Sequence, residues 1–143
     1  MKRQLRVLIV DDELTVCERL SAEMERAGFE AMACSDSTAA LEKLAAMRFD
    51  VVITDLKMRG PTGLDVLKFV AENHPQTRVI VITGFATIDT AKQVMRGGAA
   101  EFIPKPFKMS QLRELVERIA AEGTASSPSG SPPSVPPVGG ANG

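Results

Sequence analysis

Three stretches of the chain carry apolar residues without interruption: RVLIV (6–10), DVVIT (50–54) and RVIVIT (78–83). Strands with one wet face alternate apolar and polar side chains, so continuous β-branched runs predict strands covered on both faces. Two weaker runs, EAMAC (30–34) and AEFI (100–103), extend the set to five. Between them the apolar positions follow helical spacing. Residues 15–27 place Val16, Leu20, Met24 and Ala27 on one side, and residues 37–47 place Ala40, Leu41, Leu44 and Met47. Segment 63–72 does the same with Leu64, Leu67, Val70 and Ala71, and segment 87–96 with Ile88, Ala91 and Met95. Residues 109–122 give the cleanest stripe, with Leu112, Leu115, Val116 and Ile119 at i, i+3, i+4 and i+7. Gly28 and Gly97–Gly98 fall where helices end, and Ser37 and Ser110 are the expected N-caps. Strict strand–helix alternation predicts parallel strands joined by right-handed crossovers, with helices on both faces of an open, doubly wound α/β sheet.

Composition narrows the function. The 143 residues are 44% hydrophobic and 24% charged, with a net charge of −1, which is ordinary for one globular domain and offers no basic field for nucleic acid or an anionic membrane. The two cysteines, Cys17 and Cys34, fall in a helix and a strand and read as buried reduced thiols. The opening MKRQLRVLIV is too short an apolar run for a secretory segment, and no stretch reaches membrane-spanning length, so a cytoplasmic protein is expected. From residue 123 the composition turns to Pro, Ser and Gly, so 1–122 is the expected domain and 123–143 a disordered linker or tail. Its PSVP matches PxxP, a match that comes nearly free in such a segment.

The chemistry lies at the strand ends. In a doubly wound sheet, ligands bind beyond the carboxyl ends of the strands. The first strand ends at Asp11 and Asp12, the third delivers Asp55, the fourth ends in Thr83, and IPKPF after the fifth carries Lys105. Two unit charges at 4 Å interact by roughly 4 kcal/mol at an effective dielectric of 20, so clustered carboxylates at these ends repel by several kcal/mol. One lysine does not neutralise them. A divalent cation does, and an all-oxygen set without His or Cys suits Mg2+, which commonly completes its shell with water and phosphate.

The blocks VLIVDDE, VVITDLKM followed by Gly, VIVITG and FIPKPF resemble the signature blocks of the receiver domain of two-component response regulators, over roughly residues 4–122. The resemblance implies a flavodoxin-like fold of five parallel strands in the order 2-1-3-4-5 with five helices. It makes Asp55 the residue that accepts a phosphoryl group from a sensor histidine kinase or phosphotransfer protein. Asp12, Asp55 and the Lys57 backbone carbonyl become Mg2+ ligands, with Asp11 acting largely through water. Thr83 and Lys105 would bind phosphoryl oxygens, a cis peptide would precede Pro106, and Thr83 and Phe102 would form the switch. Lys57 and Phe85 resemble positions that set hydrolysis lifetime. Family members commonly carry proline four residues after the acceptor; here that place holds Arg59, and proline appears at Pro61. Gly63 still falls at the loop-ending glycine. The stretch ITGFATIDTAKQVMRGGAAEFIPKPF (82–107) resembles receivers attached to activators of the alternative nitrogen sigma factor. That implies a signalling switch rather than a conventional enzyme, with output through the fourth helix, fifth strand and fifth helix, a face suited to a homodimer.

Other readings fit less well. A dehalogenase-type phosphatase needs a second Asp two residues after the nucleophile, where Lys57 stands, and no phosphate-binding glycine motif follows a strand. A degenerate receiver serving as a scaffold would not be expected to keep Asp11, Asp12, Asp55, Thr83 and Lys105 together. The single histidine, His74, precedes Pro75 and is expected as a solvated turn residue.

Overall fold

A computed structural model describes residues 4–58 and 60–125, the last three as backbone only. Five strands, β1 (Arg6–Val10), β2 (Glu30–Cys34), β3 (Val51–Asp55), β4 (Arg78–Thr83) and β5 (Glu101–Pro104), form one parallel sheet in the order β2-β1-β3-β4-β5. Helices α1 (Leu14–Arg26), α2 (Ser37–Ala46), α3 (Gly63–Asn73), α4 (Ile88–Arg96) and α5 (Met109–Ala125) alternate with them. The three continuous apolar runs occupy the three central positions, where both faces are covered, and β3 is buried at every residue.

Strand alternation sorts the core into two layers. Val7, Ile9, Val51, Ile53, Ile80 and Ile82 face α1 and α5, meeting Leu20, Met24, Leu112 and Val116. Leu8, Val10, Val52, Val79 and Val81 face α2, α3 and α4, meeting Leu44, Leu67, Val70 and Val94. Each such side chain stabilises the fold by about 1.5–3 kcal/mol when removed from water. Cys17 belongs to the first layer and Cys34 to the second, so the sheet separates the two free thiols. Burial and the nearby Asp11 push the Cys17 thiol pKa up to about 11.

Several local expectations need correcting. The α4 stripe is wrong: Val94 is the buried residue, while Ile88 is 75% exposed and Met95 45% exposed. On α3, Val66 is buried and Ala71 is exposed. The N-cap of α2 is Asp36, whose carboxylate accepts from Ala39 N at 2.7 Å; Ser37 is already helical and fully buried. Ser110 lies inside α5, which starts at Met109 and runs to Ala125, past the boundary expected at residue 122. His74 is half-buried, with Nε2 2.7 Å from the Leu44 carbonyl, so it pins the end of α3 to α2. The glycines after α1 and α4 do stand where expected, Gly28 and Gly98 adopting φ of +99° and +102° that a side chain disfavours. The PSVP motif and the tail beyond residue 125 lie outside the described residues, as does Arg59.

Candidate functional site

The sheet register brings the strand ends together. Val10 is level with Thr54, so Asp11 follows β1 at the height where Asp55 ends β3. Asp55 is level with Ile82, one residue before Thr83, and Thr83 is level with Pro104, one residue before Lys105. Parallel strands all point their carboxyl ends one way, so these side chains share one edge of the sheet.

Carboxylate oxygens of Asp11, Asp12 and Asp55 lie within 4.8 Å of one another. Asp11 is fully buried, Asp55 is 7% exposed and Asp12 is open to solvent. The Lys105 ammonium reaches three acids: Asp11 Oδ2 at 2.9 Å, Glu13 Oε1 at 3.1 Å and Asp55 Oδ2 at 3.2 Å. The contact with Asp11 is close but off the direction a hydrogen bond requires, and Asp11 Oδ2 has no hydrogen-bond partner among the described residues. That oxygen is held by charge alone. Burial works against the ammonium's charge, yet Asp11, then Asp55 and Glu13, hold its pKa well above the ordinary lysine value. Burial raises the Asp55 carboxyl pKa; Lys105 opposes that and Asp11 adds to it, leaving it above the usual carboxylate value.

Three carboxylates thus share one ammonium, and Asp12 adds a fourth acid beside them. All the donors are oxygens and one buried oxygen lacks a hydrogen bond, which fits a hard divalent cation. The acidic cluster can bind a metal ion.

The loops complete the mouth. Thr83 is buried and its Oγ1 accepts from Phe85 N at 2.9 Å, which holds the hydroxyl in place. Lys105 N donates to the Thr83 carbonyl at 2.8 Å, and the Lys105–Pro106 peptide is cis. Lys57 sets its ammonium 4.2 Å from the centre of the Phe85 ring, bridging the loops after β3 and β4. After β3 the chain turns sharply. Gly63 N donates to Leu56 O at 2.8 Å, and a Cβ on Gly63 would fall 2.3 Å from the Asp55 carbonyl, so only glycine fits. Thr62 and Asp65 then cap α3 reciprocally, and the Ser37 hydroxyl donates to the Pro61 carbonyl from below.

Residues 7–117 match the response regulator receiver domain family. The chain belongs to that family. The response regulator PilR of Pseudomonas aeruginosa is 38% identical over 116 residues, covering 81% of this chain but 26% of that protein. This receiver therefore spans about a quarter of the length of the curated regulators it matches. Among solved structures, the beryllofluoride-activated receiver dimer of NtrC4 is 34% identical with a TM-score of 0.78, covering 82% of this chain and 98% of that one. A response regulator from Burkholderia pseudomallei, solved with a phosphorylated aspartic acid and a calcium ion, is 26% identical with a TM-score of 0.75, covering 90% and 76%.

The receiver brings Asp11, Asp12, Asp55 and Lys105 to one point, with Thr83 on the neighbouring strand end and Lys57 on the loop after Asp55. Phe102 stands apart from the acids, half-buried on β5 against the second core layer. Three contacts escaped the sequence. Glu13 pairs with Lys105, Ser37 holds the loop at Pro61, and Lys57 stacks on Phe85. Glu13 sits beside the acid pair and was legible as a charge; the other two contacts depend on loop geometry that no periodicity encodes.

Proposed function

We propose that this receiver accepts a phosphoryl group on Asp55 from a histidine kinase or phosphotransfer protein and uses it to switch an exposed face. The observation that carries the reading is the buried Asp55 carboxylate, flanked by Asp11 and Asp12 and touched by Lys105. A carboxylate of this kind is an ionised nucleophile that needs no general base. As an Asp55 oxygen bonds to phosphorus, the phosphorus–nitrogen bond of the phosphohistidine breaks and the imidazole keeps the electron pair. Asp12, Asp55 and the Lys57 carbonyl, with Asp11 through water, are the groups proposed to hold Mg2+, which when bound supplies charge neutralisation for the phosphoryl oxygens. Lys105 trades Glu13 for one oxygen and Thr83 donates its hydroxyl to another. The phosphorylated aspartate and divalent ion of the Burkholderia pseudomallei regulator support this reading.

For output, the proposed face is α4, β5 and α5, where Ile88 and Met95 give α4 an exposed apolar surface, and the dimer of the NtrC4 receiver supports self-association. The Pro/Ser/Gly-rich residues after α5 are proposed as a linker to the output part of a longer regulator, acting in the cytoplasm. Incubation with acetyl phosphate and Mg2+ should add one phosphate by intact mass, and Asp55→Asn should take up none. Full labelling of that variant would refute the assignment.

A further inference from the structure

The structure assigns Ser37 a positioning role for the loop after the phosphoacceptor: a clamp reaching in from α2. This deepens the reading of Asp55 as acceptor and rests on it. Ser37 is fully buried in the first turn of α2, on an element that contributes nothing to the acidic pocket. Its hydroxyl donates to the carbonyl of Pro61. Proline has no N–H, so that carbonyl is the one backbone group Pro61 offers.

Among the described residues, further backbone anchors hold the two ends of the loop. Leu56 N donates to Ile82 O at 3.0 Å and Leu56 O accepts from Gly63 N at 2.8 Å, while Thr62 N donates to Asp65 Oδ2 at 2.7 Å. Among the described residues, Leu56 and Pro61, held by Ser37, bracket a short span that begins at Lys57. The Lys57 N–H reaches Asp55 Oδ1 at a long 3.4 Å. The direction of the Lys57 carbonyl is therefore set by how tightly this short span is held. Removing the clamp lets the loop sample other paths, and metal binding must then re-order it. Here the proline that stiffens this turn stands at position 61, and its carbonyl is where the hydroxyl attaches.

The test is Mg2+ affinity by calorimetry, in the wild type and in Ser37→Ala. Affinity should fall about three- to tenfold, the ratio expected for one lost hydrogen bond, while the far-ultraviolet spectrum stays native. Wild-type affinity in a folded Ser37→Ala overturns the clamp and leaves the acceptor reading intact. Absence of Mg2+ binding in the wild type overturns both. If Ser37→Ala does not fold, the wild type decides by NMR. Mg2+ should move the amide resonances of Ser37 and Thr38 together with those of Lys57 and Met58, whereas unmoved α2 resonances overturn the proposal.

Discussion

Phe102 on β5 stands level with Val81 on β4, two residues before Thr83, so Phe102 and Thr83 occupy the same face of the sheet on adjacent strands. Thr83 Oγ1 is engaged by Phe85 N at the start of the loop leading to α4. In the proposed switch, turning that hydroxyl toward a phosphoryl oxygen would break the contact, free the loop and open space on the Phe102 side. Such a two-state element shifts its population when a ligand favours one state. Beryllofluoride with Mg2+ should therefore perturb amide resonances through 84–107 as well as those near Asp55. Thr83→Ala should keep the local response and lose the distant one. Shifts confined to the acidic pocket in the wild type would refute the coupling.

Gly63→Ala should be costly. The added Cβ would stand 2.3 Å from the Asp55 carbonyl and 2.8 Å from the Leu56 Cα, both backbone atoms that cannot swing aside. Overpacking of this kind typically costs about 1–3 kcal/mol. Here the displaced backbone also carries Asp55, the proposed acceptor. A lower melting temperature together with slower labelling by acetyl phosphate is expected, and a variant that melts and labels like the wild type would contradict the close approach.

Sequence pattern made the sheet legible because a strand buried on both faces leaves no choice of residue, and β1, β3 and β4 begin within a residue of their apolar runs. The acids and Lys105 were legible for a related reason: charges at the end of a buried strand need a partner. What failed was local. The α4 stripe of Ile88, Ala91 and Met95 has helical spacing, but Ile88 and Met95 face outward and Ala91 is half-buried, since periodicity marks an apolar face without saying what covers it. Ser37 looked like a cap because serine commonly is one, but Asp36 is one residue earlier and its carboxylate reaches Ala39 N. His74 depends on a contact thirty residues away that no local signal carries.

The α1–α5 contact should make stability fall in acid. Glu23 accepts from Arg26 on its own helix and from Arg113 Nε at 2.9 Å on α5. Arg26 first, and Arg113 after it, hold the Glu23 carboxyl pKa below its ordinary 4.5. A folded pKa lower than the unfolded one adds stability that is present above 4.5 and is lost as pH falls through the folded value. Wild type should melt above Glu23→Gln at neutral pH, and the gap should close as pH falls below 4.5 and shrink with added salt. A gap that is constant with pH would mean packing, not charge, sets the difference.

Without metal, the Asp55 carboxylate should be a burden on the fold. Asp55 is buried beside Asp11 and Asp12, and burial together with Asp11 outweighs Lys105 in disfavouring its charge. Asp55→Asn keeps the shape and removes the charge, while Lys105 retains Asp11 and Glu13 as partners. In a chelator, the variant should melt roughly 2–5 °C above the wild type. Added Mg2+ should raise the wild-type melting temperature by mass action and leave the variant nearly unmoved, so the order of the two narrows or reverses as the metal rises. Should Asp55→Asn melt at or below the wild type in chelator, the Lys105–Asp55 pair is worth more than the repulsion it relieves, and the site is held together without an ion.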